Sequence, residues 1–92
     1  MSNIDWSLLI TKEMRDAEAV AAAIEVVKQE ISRRRKIADH TIAPLQDAVD
    51  IGEASEEETL LLTTWKRYRI ALSKVTEQEG YHVNVIWPEE PA

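Results

Sequence analysis

The residues able to do chemistry are few and scattered. His40 and His82 are the only two histidines, there is no cysteine, and neither histidine stands in a metal-ligand spacing such as HxxxH. Glu56-Glu57-Glu58 could in principle hold a cation. Adjacent helical residues point in different directions, however, and helix capping explains the run without a metal. Ser32, Ser55 and Ser73 have no histidine nearby in sequence, and no Gly-rich phosphate loop or nucleophile elbow is present. Arg33-Arg34-Arg35-Lys36 is the one basic cluster. Four consecutive helical residues fan around the axis, and Glu30 and Asp39 stand four residues from Arg34 and Arg35, so a solvated, ion-paired segment is the simpler reading. Arg34 is the exception, because it falls on an apolar seam, where it either meets a partner or snorkels to water. No catalytic residue, cofactor or metal is expected, and the chain is not read as an enzyme.

Composition agrees with a binding role. The 92 residues are 45% hydrophobic and 30% charged, with three Trp, two Tyr, no Phe and a formal net charge of -6. That balance opposes non-specific binding to nucleic acid or anionic membrane. No apolar run approaches the roughly 20 residues of a membrane-spanning helix, and the start has no basic n-region of a signal peptide. Two Gly and three Pro leave little turn chemistry for a many-stranded sheet.

The pattern along the chain is mainly all-α, a single helical-hairpin domain over residues 1–92. Residues 1–11 read as a short extended lead-in, with Thr11 as a helix cap and Glu13 and Asp16 near the helix start. A long helix follows over 12–51, with a seam Ala17, Val20, Ile24, Val27 and Ile31 stepping by three and four. Pro44 predicts a kink or break near His40–Ala43. Gly52 is placed to end the helix left-handed. Ser55-Glu56-Glu57-Glu58 is a capping box opening a second, antiparallel helix over 55–77, with Leu61, Trp65, Tyr68, Leu72 and Val75 on its seam. Residues 81–88 read as an extended tail, one strand with Tyr81, Val83, Val85 and Trp87 alternating, which must lie on the helices or pair with another chain.

A length mismatch points to a partner. At about 1.5 Å per residue the first helix spans roughly 58 Å and the second roughly 35 Å. Aligned from the turn, Leu61 falls opposite Leu45, Trp65 opposite Ile42, Tyr68 opposite Ala38 and Val75 opposite Ile31. The seam from Met14 to Val27 is then without a helical partner. Either the two terminal segments fold over it or another chain does, and another chain is the favoured reading. Candidate contact residues are Val20, Ile24 and Val27 on the seam, Tyr81, Val83 and Val85 on the tail, and Trp6 and Trp87. Those two tryptophans sit in terminal segments and serve equally as interface anchors or as packing onto the hairpin. A homo-oligomer is one form the partner takes.

Several linked motifs carry a resemblance. Ile42-Ala43-Pro44-Leu45-Gln46-Asp47-Ala48-Val49-Asp50, Ala54, Glu56-Glu57-Glu58, Trp65-Lys66-Arg67-Tyr68-Arg69-Ile70-Ala71-Leu72 and Ile86-Trp87-Pro88 resemble the tail fibre assembly proteins of tailed bacteriophages and prophages. The likeness covers roughly Ile42 to Pro91, with Asp5-Trp6-Ser7 and Thr11-Lys12-Glu13 similar to the sequence before the long helix. Ser73 stands where Asn is common and Ile70 where Val is usual, and larger members carry an N-terminal β-rich region not found here. The resemblance implies a chaperone for tail fibre chains, acting on folding and trimerisation in the host cytoplasm, with the fibre's distal C-terminal region as partner. Some members stay on the fibre end in the virion. A permanent virion component or self-assembling helical adaptor is the alternative.

Overall fold

The computed structural model describes the backbone of residues 6–92 and the side chains of residues 15–92. Two helices form an asymmetric hairpin: α1 spans Trp6–Asp50 and α2 spans Glu56–Ser73, followed by a 3-10 turn at Val75–Glu77. No strand is present among the described residues. The molecule measures 81 × 17 × 17 Å. Its radius of gyration, 21.1 Å, far exceeds the roughly 12 Å of a compact domain of this length. The long axis is α1 itself, about 67 Å at 1.5 Å per residue, against about 27 Å for α2.

Turn chemistry fixes the hairpin. Gly52 adopts φ 74°, the left-handed conformation that costs residues with a Cβ most. Its N–H donates to the Val49 carbonyl at 3.1 Å and the Glu53 N–H to the Ala48 carbonyl at 2.8 Å, the paired bonds of a Schellman stop. Three residues later the capping box closes. The Ser55 hydroxyl accepts from the Glu58 N–H at 3.1 Å, and the Glu58 carboxylate accepts from the Ser55 N–H at 3.2 Å. So short a link makes α1 and α2 antiparallel neighbours. The core between them is Ala38, Ile42, Leu62, Trp65, Tyr68 and Leu72, with Leu45, Val49 and Trp87 packed at its margin. Trp65 and Tyr68 meet edge to face, centroids 5.7 Å apart. Arg69 crosses the hairpin to Asp39 at 3.0 Å.

Four expectations need correction. First, α1 begins by Trp6, so Thr11, Glu13 and Asp16 lie inside the helix and not at its start. Nothing between Trp6 and Ala43 is Gly or Pro, and the strong formers Leu8, Leu9, Lys12 and Glu13 extend the helix backwards. The earlier part of the lead-in, residues 1–5, lies outside the described residues. Second, of the kink or break expected near His40–Ala43, the break is absent: α1 runs through Pro44 as one helix. Pro44 and His40, whose carbonyl loses its donor, are both on the solvent-facing side, where water can replace the bond. Ile42, Leu45 and Val49 hold the helix to α2 on the other side. Third, Leu62 and not Leu61 faces the core. Leu60-Leu61-Leu62 offers a leucine to every direction, and α2's angle on α1 selects among them. Fourth, the tail is no strand. Residues 79–83 turn, with the Val83 and Asn84 N–H groups both donating to the Gly80 carbonyl, at 2.9 and 3.0 Å. Gly80 makes this possible at φ 66°. The Gln78 side chain then clamps the Ile86 backbone, accepting from its N–H at 2.9 Å and donating to its carbonyl at 2.8 Å. A lone strand has no ladder to satisfy its backbone, and the glutamine supplies part of one.

Candidate partner-binding surface

The tail folds back onto α1 just beyond the point where α2 ends. Val27 is buried there, and a groove of about 600 Å³, open to solvent, is lined by Val26, Val27, Glu30, Arg33, Val85 and Trp87, among others. Arg34 closes one wall: its guanidinium carbon stands 4.3 Å from the centroid of the Trp87 ring. A half-buried cation over an indole face is attracted by the ring quadrupole, and Arg suits this better than Lys because its planar group stacks. The charge on the seam is thus satisfied within the chain. Glu30 joins both neighbours, accepting from Arg33 at 2.7 Å and from Arg34 at 3.5 Å. Asp39, set four residues from Arg35, reaches α2's Arg69 instead.

The hydrogen bond from Arg33, with the charges of Arg33 and Arg34, lowers the Glu30 carboxyl to a pKa of about 2. A depressed folded-state pKa adds stability that is complete above the ordinary value of about 4.5 and is lost as pH falls toward 2. The pair is solvent-exposed, so the contribution is small. Carboxyl-carbon NMR is expected to give a Glu30 midpoint near 2, moving up in Arg33→Ala. An unmoved midpoint in that variant would dismiss the guanidinium as the cause.

The candidate residues fall into three groups. Val27, Val85 and Trp87 come together in the groove, so Val27 is covered and not offered outward. Val20, 43% exposed, and the half-buried Ile24 lie beyond both α2 and the tail, on a stretch whose neighbours from Arg15 to Ala22 are all exposed. Tyr81 is half-buried with its ring edge to face with His82, while Val83 is 80% exposed on the turn. Trp6 stands in the first turn of α1, and its side chain lies outside the described residues. Spacing did not single out Val26, 65% exposed at the groove's lip, or Ile86 on the tail, 73% exposed. Gln78 was missed as well, and nothing in its sequence context announces a clamp. His40 is exposed, and no three His, Cys, Asp or Glu among the described residues converge on a point that could hold a metal ion. No helix of the described residues is long and apolar enough to cross a membrane.

Residues 5–92 match the family described as Caudovirales tail fibre assembly protein, lambda gpK. The chain belongs to the tail fibre assembly protein family. Among curated relatives, Protein TfaD of Escherichia coli K12 is 39% identical over 82 residues, covering 88% of this chain and 43% of its own length. The tail fiber assembly protein of Escherichia phage lambda is 43% identical over 56 residues, 61% of this chain and 28% of its own. A probable tail fiber assembly protein of Shigella phage SfV is 46% identical over 54 residues, 59% of this chain and 29% of its own. The chain therefore spans less than half the length of these relatives. No solved structure matches it.

Proposed function

We propose that the chain is a tail fibre assembly chaperone that binds phage tail fibre polypeptides at their distal, C-terminal region and assists their folding and trimerisation. Membership of the tail fibre assembly family over residues 5–92 carries this reading. The surface is compatible with it: an open groove beside Trp87 and the exposed stretch of α1 around Val20 can shield fibre surfaces that are apolar before trimerisation. Such shielding is a matter of binding and needs no catalytic group. It acts where fibre chains are made, in the cytoplasm of the bacterial host. Expressing a fibre with and without the chain, and measuring soluble trimer by sedimentation, tests it. Trimer yield is expected to depend on the chain. Equal yields would overturn the chaperone reading; a chain then found stoichiometric on mature trimer would be a virion adaptor instead.

A further inference from the structure

We propose that the segment after Glu77 is a latched strap, which closes over Val27 and lifts from α1 while the α1–α2 hairpin stays folded. Val75 is fully buried and anchors the near end. Beyond it no residue is buried: Tyr81, Val85 and Trp87 are half-buried, and Val83 and Ile86 are exposed. From Trp87 the chain crosses to α2, where residues 88–92 lie beside Thr64, Arg67, Tyr68 and Ala71. Among the described residues, no hydrogen bond or ion pair joins the segment after Gln78 to either helix. Its bonds stay within itself: Val83 and Asn84 donate to Gly80, and Ile86 exchanges two bonds with the Gln78 side chain. A segment closed on itself, and held down mainly by one indole under a cation, loses far less on opening than the hairpin loses with its shared core.

Gln78 is the latch. Its carboxamide sits at the base of the strap and fixes Ile86, the residue before Trp87, so that the indole meets Arg34. Without it, closing must order the whole loop from Gln78 to Ile86 against its conformational entropy. Opening changes what the chain presents. Closed, Val27 is covered and the indole is partly shielded; open, both are free together. A partner that takes either surface binds against the closing equilibrium, so its apparent affinity scales with the open fraction. The strap is then an autoinhibitory contact, made by the chain on its own groove.

The test uses the purified chain without any fibre, so its failure and that of the chaperone reading are separable. A Val27→Cys chain is labelled with a thiol reagent across a dilute urea series, while amide exchange at Ile42 reports opening of the hairpin in the same chain. Labelling is expected to be slower by about ten-fold or more than at Val20→Cys, a site 43% exposed in the parent. The open state it reports should be about 100-fold or more as populated as the one seen at Ile42, and should respond weakly to urea because little surface is uncovered. Gln78→Ala should speed labelling of Val27→Cys about five- to thirty-fold, the worth of two exposed hydrogen bonds, and leave Val20→Cys unchanged. Opening at Val27 that matches Ile42 in population and urea dependence would make strap and hairpin one unit and overturn the proposal. Labelling as fast as at Val20→Cys, or unmoved by Gln78→Ala, would overturn it as well.

Discussion

Replacing Trp65 with alanine is expected to unfold the hairpin at ordinary temperature or bring it close to unfolding. Trp65 is 7% exposed, sits at the centre of the core and makes the edge-to-face contact with Tyr68. Truncating a buried tryptophan costs on the order of 3–5 kcal/mol, from lost transfer energy and the cavity left behind. A chain of 92 residues has a total stability of about 5–14 kcal/mol, and this one buries few side chains, so the lower end applies. No neighbour is free to refill the space, because Leu62 before Trp65, Tyr68 and Leu72 after it, and Ile42 across from it are each already buried in the same core. The midpoint of thermal unfolding should drop by more than about 12 °C, from roughly 4 °C per kcal/mol in a domain of this size. A midpoint within a few degrees of the parent would take Trp65 out of the core and make it a contact residue.

Trp87→Ala is expected to free the tail. From the sequence, Trp87 divided evenly between partner anchor and packing on its own hairpin, and as an anchor its loss was expected to act on fibre association. The structure puts it at the margin of the core, under Arg34, with its ring partly open to the groove. Half-burial of a tryptophan, with the cation contact, amounts to about 2 kcal/mol. The loss should appear as a lower melting midpoint and as faster amide exchange from Gln78 to Ile86, and Val27 should become solvent-exposed. A double-mutant cycle with Arg34→Ala isolates the stacking and should give a coupling of about 0.5–2 kcal/mol. If the isolated variant melts unchanged, Trp87 is not part of the hairpin's closure and its ring is left for the fibre alone.

The sequence by itself determined the local stops and starts. Gly52, Ser55 and Glu58 act within a few residues of themselves, through a left-handed φ and two reciprocal hydrogen bonds, so their geometry needs no distant partner. The seam residues Trp65, Tyr68 and Leu72, and the pairing of that face with Ala38 and Ile42, were also legible, because helical period and a short turn together set the register. The shortfall of α2 against α1 followed from counting residues. Where the helix met solvent the signals were weaker. Pro44 read as a kink or a break, but whether it breaks the helix depends on which side of α1 faces water. What tertiary structure alone decided was the course of the tail and the choice among three leucines. Alternation at Tyr81, Val83, Val85 and Trp87 has the period of a strand, yet a strand needs a neighbour to pair with. Without one, the Gln78 clamp and the Arg34–Trp87 stack, neither with a short-range signature, laid the tail on α1 and covered Val27. The bare stretch of seam is thereby shortened to the turns before it, and Val20 and Ile24 stay open because no part of the described chain is long enough to reach them.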